Sequence, residues 1–339
     1  MLNPEEIKLF SIVNTSGAEV ILSNLGAGIV SIVVPDKNGV MADVALGYRN
    51  PEEYFGDGPY MGKTPGRFSN RIAQGKFSIG ERHYSLLLNN GPNHLHGGPD
   101  EQSYANRIWD AREVEEGILF SLDSPDGDAG YPGNLHVEVL YSWSDSNSLT
   151  IKLTAVTDAE TVVNLTNHAY FNLKGEEKGD VTGHKLKLYA SRWLVTDQYL
   201  TPTGEMASVK GTPMDFTTPK ALGKDLKSDF PAISYGKGYD NCFVIDDYRP
   251  GVVRPVAELY EETSGRKLVV SSDSPGIQVY TGNWLSGSPV SKSGRPYDDY
   301  DGVALECQQM PDGPNHPEFP FTTLKKGETY TNTIVYAFE

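Results

Sequence analysis

Val137-Glu138-Val139-Leu140-Tyr141-Ser142-Trp143-Ser144-Asp145-Ser146-Asn147-Ser148-Leu149-Thr150-Ile151-Lys152-Leu153-Thr154-Ala155 decides the fold class. Val137, Val139, Tyr141 and Trp143 alternate with polar or smaller residues. After Asp145-Ser146-Asn147 the alternation resumes at Leu149, Ile151, Leu153 and Ala155. A period of two with one apolar face, broken once by turn residues, predicts a β-hairpin packed on a core.

Working outward, similar short runs occur at 7–13, 19–22, 28–34, 117–122, 185–189, 267–270, 276–280, 302–307 and 329–338. Turn clusters separate them, among them Asp36-Lys37-Asn38-Gly39, Asn89-Asn90-Gly91-Pro92, Ser124-Pro125-Asp126-Gly127 and Asp312-Gly313-Pro314-Asn315. With 35 glycines and 22 prolines the chain is interrupted too often for long helices. Short helical pieces are expected near 50–54 and 220–227. The Gly/Ser/Pro-rich stretch 286–302 leads into a strand and reads as a loop over a site. No repeat or low-complexity linker divides the chain. The expectation is all-β, a sandwich or barrel of many antiparallel strands, with residues 1–339 as one domain.

Composition narrows the function. A net charge of −16 repels phosphate backbones and anionic lipid heads, so neither nucleic acid nor a membrane surface is an expected partner. An uncharged small molecule suits that surface better. Two cysteines, Cys242 and Cys307, cannot form a disulfide framework, and reduced thiols in a cytoplasmic protein are the expectation. Each adjoins a proposed site residue, and strand alternation is expected to turn both away from the site. The N-terminus, Met1-Leu2-Asn3-Pro4-Glu5-Glu6-Ile7, has no basic or long apolar run, and no stretch is long enough to span a bilayer.

Five segments bear chemistry. Asn164-Leu165-Thr166-Asn167-His168-Ala169-Tyr170-Phe171-Asn172-Leu173 sets a histidine among amides, a hydroxyl and aromatics. The asparagines could grip ligand hydroxyls, the rings could stack on a sugar, and the histidine could move a proton. Such a strand could equally satisfy only its own backbone. Pro65-Gly66-Arg67-Phe68-Ser69-Asn70-Arg71-Ile72 places Asn70 beside Arg71, whose planar fork can hold hydroxyls or a carboxylate. A lone arginine is more often half of a surface ion pair. Asn89-Asn90-Gly91-Pro92-Asn93-His94-Leu95-His96-Gly97-Gly98 holds two histidines two apart, with Glu101 following, a spacing that also suits a metal in a β-barrel. Gly236-Lys237-Gly238-Tyr239-Asp240-Asn241-Cys242-Phe243 puts Asp240 at the start of an apolar strand, as hydroxyl acceptor or turn cap. Gly302-Val303-Ala304-Leu305-Glu306-Cys307-Gln308 interrupts an apolar strand with Glu306, a general base if that face is buried.

Together these segments resemble the aldose 1-epimerase (galactose mutarotase) family over nearly the whole chain. Val34-Pro35-Asp36-Lys37-Asn38-Gly39, Asp43-Val44-Ala45-Leu46-Gly47-Tyr48, Leu200-Thr201-Pro202-Thr203-Gly204-Glu205, Gly211-Thr212-Pro213-Met214-Asp215-Phe216 and Asn315-His316-Pro317 extend the likeness. The resemblance implies a large antiparallel β-sandwich of the galactose mutarotase-like supersandwich type. It implies interconversion of the α and β anomers of free aldoses with no cofactor and no metal. It also implies Glu306 as general base on the anomeric hydroxyl, His168 as general acid at the ring oxygen, and His96 as a second histidine near both. Asn70, Arg71, Asp240 and Gln278 match its substrate-binding positions, and His94 has no role in it. Asn241 departs from a common histidine, and Lys63-Thr64-Pro65-Gly66 and Glu160-Thr161-Val162-Val163 vary the runs before two motifs. These departures bear on sugar preference.

Ring opening needs a proton removed at O1 and one added at the ring oxygen, and a carboxylate with a histidine suffices. Unperturbed groups would lose activity on the acid side as Glu306 protonates and on the basic side as His168 deprotonates. Three other readings stand beside this one: a metal-dependent barrel using His94, His96 and Glu101, a carbohydrate-binding module, and a hexose-phosphate epimerase, which would need a basic pocket.

Overall fold

The computed structural model describes residues 3–339; Met1 and Leu2, which open the N-terminal stretch read above, lie outside the described residues. The hairpin of the opening sequence forms as expected. Leu135–Trp143 pairs antiparallel with Ser148–Thr157, with Trp143 opposite Leu149 and Val137 opposite Ala155. Asn147 takes the left-handed conformation in the turn (φ 54°), which asparagine tolerates better than most residues.

That hairpin lies inside a nine-stranded antiparallel sheet reaching from Lys220–Ala221 at one edge to Asp110–Val114 at the other. Val137, Val139, Tyr141, Leu149, Ile151 and Leu153 face inward and are fully buried, together with Leu268, Val270, Ile334 and Tyr336 of neighbouring strands. A four-stranded sheet, Leu9–Val13 to Met41–Asp43, packs on one part of this face. Phe10 meets Phe120 edge-on at 5.7 Å, and the Tyr141 hydroxyl donates to the Ala27 carbonyl at 2.6 Å.

A six-stranded sheet covers another part, in the order Tyr170–Phe171, Val303–Gln308, Gly276–Tyr280, Asp240–Val244, Arg192–Thr196, Pro202–Ser208. Alternation divides its residues. Phe243, Ile277, Val279, Val303, Leu305 and Cys307 join the core shared with the large sheet. Asp240, Gln278 and Glu306 fall on the other face, where they are brought side by side: Gln278 is the registered partner of Glu306 and of Cys242. The fold is therefore a large antiparallel β-sandwich whose outer face on one sheet is free to carry a site.

The short helical pieces expected near 50–54 and 220–227 are present as the 3₁₀ turns Pro51–Tyr54 and Leu222–Asp225, the second preceded by the short strand Lys220–Ala221. The α-helix Pro231–Gly236, six residues long, is too short to show a helical period in sequence. The 286–302 loop does not roof a site. Its Tyr297 and Lys292 bond instead to Glu176, Gly47 and Ala45, which makes it a buttress. Among the described residues no helix is long and apolar enough to cross a membrane.

Cys242 and Cys307 are both unpaired and buried. Only Cys307 points into the core as expected. Cys242 is two residues from Asp240, so a period of two places it on the site face, packed among Leu194, Val244 and Met310. Burial raises both thiols, Cys307 to about 12 and Cys242 further. Thiol titration should therefore find none in the native protein and two in unreduced, denatured protein. A native count of two would contradict this burial.

Candidate active site

A cleft of about 460 Å³ opens above that outer face. Glu306 and His168 form its floor, and Asn70, Arg71, His96 and Asp240 its wall. Tyr60, Tyr199 and Trp284 stand around the opening. The sequence reading had not singled out these three aromatics, because nothing in their local sequence marks them as neighbours of the motifs.

Glu306 sits in the middle of the Val303–Gln308 strand and is 2% exposed. His168 reaches it from the loop before Tyr170–Phe171, with Nε2 3.5 Å from Oε1 of the carboxyl. Loop 57–63 fixes the His168 backbone by two bonds: Gly62 N–H donates to its carbonyl at 3.0 Å, and its own N–H donates to the Lys63 carbonyl at 2.9 Å. Burial pushes Glu306 well above the usual carboxylate range, helped by the charge of Asp240 and opposed by Arg71. Burial also lowers His168 to about 4, outweighing the carboxylates of Asp57 and Asp240. The order assumed from unperturbed values is thus inverted. Burial of both groups favours the arrangement in which the pair shares one proton and neither is charged.

His96 has a fixed tautomer. The backbone N–H of Asn70 donates to its Nδ1 at 3.1 Å, so the neutral ring carries its proton on Nε2. Burial and the neighbouring His168 and Arg71 hold its pKa well below 6.5. Within the cleft His96 is a neutral hydrogen-bond donor. That bears on metal chemistry, since His96, His168 and Glu306 bring one ligand atom each to within 4.8 Å of one another. A nitrogen that keeps its proton has no lone pair for a metal, and its other nitrogen faces an N–H. The donor set does not fit a metal ion.

The metal reading through His94, His96 and Glu101 also fails. The strand His94–Leu95 ends at once, and His96 turns left-handed (φ 51°), so the two histidines do not share a side. His94 donates from Nδ1 to the Leu87 carbonyl at 2.7 Å and accepts the Tyr131 hydroxyl at Nε2 at 2.8 Å. Both its nitrogens are occupied and it is structural.

Arg71 is not a surface charge. It is buried, donates from Nε to Asn90 Oδ1 at 3.1 Å, and meets Asp240 at 3.4 Å. Asn70 spends Oδ1 on the Arg71 N–H at 2.8 Å, so its amide N–H₂ is what it can offer a ligand. Gln278 lies below the cleft wall. Its amide donates to Asp240 at 2.6 Å, and its Oε1, on the same face as Glu306, has no protein partner.

The asparagines of the His168 motif do not grip ligand. Asn164 donates to Ser69 O and accepts from Gln309 N, Asn167 donates to Gly62 O, and Asn172 bonds the Gly179 and Asp301 carbonyls. Thr166 donates to Cys307 O at 2.8 Å. All four side chains are fully buried and hold the loop. Only His168 and Tyr170 of this motif reach the cleft.

Lys63, one of the departures noted in sequence, is fully buried and ion-paired with Asp57 at 2.5 Å, with Asn106 Oδ1 at 2.8 Å completing its shell. Lys63→Met should cost about 3–5 kcal/mol in urea unfolding, because Asp57 is left buried without its counter-charge. Asp57→Asn with Lys63→Met should recover part of it. A single variant as stable as the parent would show that the pair does not secure this loop.

Known proteins bear out the architecture. The family model for aldose 1-epimerase matches residues 8–337. The galactose mutarotase of Bos taurus is 40% identical over 313 residues, 92% of this chain and 89% of that protein. The aldose 1-epimerase of Escherichia coli (strain K12) is 35% identical over 334 residues, 98% of this chain and 95% of that protein. The crystal structure of an aldose epimerase homologue from C. elegans superposes with a TM-score of 0.89 at 31% identity, covering 98% of this chain and 99% of that one. On this evidence the chain belongs to the aldose 1-epimerase family.

Proposed function

We propose that Glu306 and His168 are the base and acid of an anomerisation performed on free aldoses in this cleft. As a member of its family the chain is an isomerase acting on small sugars. One observation carries the residue assignment. Acid and base stand 3.5 Å apart on one floor, and the two oxygens they must address, O1 and the ring oxygen, are borne by one carbon.

From the ionised form of the pair, reached when Glu306 passes its proton to His168 Nε2, the carboxylate of Glu306 takes the proton from the hydroxyl on C1. The C1–O1 bond becomes a carbonyl, the bond from C1 to the ring oxygen breaks, and its electron pair takes the proton of His168 Nε2. The open-chain aldehyde is then held between protonated Glu306 and neutral His168, the arrangement that burial favours. Rotation about C1–C2 turns the other carbonyl face to the hydroxyl, and the same transfers run backwards to close the ring. The Nε2–H of His96 is placed to donate to an oxygen of the reacting centre, and Arg71 steadies Glu306 when it is ionised.

Asp240 accepts from sugar hydroxyls, held by Gln278 and Arg71, while Asn70 donates to them and Gln278 retains one acceptor. Among the described residues lining the cleft, Arg71 is the one guanidinium or ammonium, and it is already paired with Asp240. That favours an uncharged aldose over a sugar phosphate. The nine-stranded sheet, which joins strands from Asp110 to Phe338, supports treating residues 1–339 as one domain. Two unpaired thiols support a cytoplasmic setting.

Polarimetry of freshly dissolved α-anomers of galactose, glucose, xylose and arabinose tests the reading. Optical relaxation should accelerate in proportion to protein for at least one sugar. Unchanged relaxation with all four, alongside measurable sugar binding, would favour a binding module.

A further inference from the structure

Tyr60 stands against both imidazoles of the cleft. Its ring centroid lies 4.6 Å from that of His96 and 6.3 Å from that of His168, to which it is nearly parallel at 27°. Its backbone is left-handed (φ 56°), a conformation uncommon for an aromatic residue and one that surrounding structure must enforce. The enforcement is visible. Tyr60 N–H donates to Asp57 O, Lys63 N–H donates to Tyr60 O, and Met61 N–H donates to the Asp57 carboxylate at 2.8 Å. The buried Asp57–Lys63 pair ties the two ends of this turn together. The same turn holds the His168 backbone from both sides. A single short loop therefore sets the main chain of the acid and lays an aromatic plate on its ring.

We propose that Tyr60 is a positioning residue for the anomerisation, its ring fixing both imidazoles and keeping water from them while its hydroxyl takes no part in proton transfer. The inference rests on the function proposed above. The groups facing His168 are Glu306, His96, Asp57, Lys63, Asp240 and the phenols of Tyr60, Tyr170 and Tyr280. Among these, Tyr60 is a partly exposed one whose removal would open the imidazole to solvent.

The test pairs kinetics with NMR titration of the histidine rings. Tyr60→Ala should lower kcat about 100-fold, as expected for lost orientation, with a smaller change in KM. Its His168 midpoint should rise from about 4 toward the ordinary 6.5, because water returns to the ring. Tyr60→Phe should restore most of what Tyr60→Ala loses. Should the alanine variant not fold, Tyr60→Leu is expected to show the same changes at smaller size. A truncated variant with unmoved kcat and midpoint would overturn the proposal. So would a phenylalanine variant as impaired as alanine, which would pass the role to the hydroxyl. The titration needs no turnover, so a wild-type protein without mutarotase activity would overturn the functional reading alone.

Discussion

Glu306→Gln should lower turnover by about 10²–10⁴-fold while sugar binding persists. The substitution keeps the shape of a residue packed at 2% exposure and removes only its capacity to take a proton. The amide also relieves the cost of burying a carboxyl, so the variant should fold at least as well as the parent. KM should change little, since Asp240, Arg71 and Asn70 remain to hold the hydroxyls. Near-parental kcat in a folded Glu306→Gln would place the base elsewhere, and Asp240 would be the next carboxylate to examine.

His168→Asn should cost a comparable factor, and its pH dependence discriminates more sharply than the rate. The active form holds one proton between Glu306 and His168. With His168 near 4, acidification below that value adds a second proton to the pair and removes the base. With Glu306 raised, activity should persist well above the ordinary carboxylate range and fall only when the pair loses its last proton, which removes the acid. The midpoint of the acid limb is thus set chiefly by His168 and that of the basic limb by Glu306. In the residual activity of His168→Asn the basic limb should disappear, since no acid remains to lose its proton, and in that of Glu306→Gln the acid limb should disappear, since no base remains to be protonated. The double variant should be little worse than the weaker single, because ring opening requires both transfers. Limbs in the reverse order would contradict the role of burial.

The inversion explains which parts of the site could be read from sequence. Glu306 was legible because a charge inside an apolar strand announces itself, and the 137–155 hairpin because its register follows from alternation alone. His168 was legible, but its neighbours were misread. Asn164, Thr166, Asn167 and Asn172 look like ligand-gripping side chains, yet each serves a carbonyl or N–H up to 145 residues away. Sequence does not reveal whether an amide's partner is a sugar or a distant backbone. For His94 and His96 the spacing alone left a metal pair open as the second reading, and the left-handed residue between strand and loop breaks the alternation such a pair would need. Cys242 was an arithmetic matter: two residues from Asp240, it had to share its face. Tyr60 and the Asp57–Lys63 pair carried no local signal, because their meaning lies in contact with His96 and His168. The pKa order was hidden for the same reason, burial being a property of the assembled sheet.

The proposed reaction requires Glu306 and His168 to exchange protons with both oxygens of an anomeric carbon. Two-dimensional exchange NMR on an equilibrated aldose reads that step directly, as cross-peaks between the α and β anomeric protons. With wild-type protein the cross-peaks should grow in proportion to enzyme for galactose or another free aldose, and with equal Glu306→Gln they should fall to near the uncatalysed level. Cross-peaks unchanged by the wild type, or equally strong with Glu306→Gln, would contradict it.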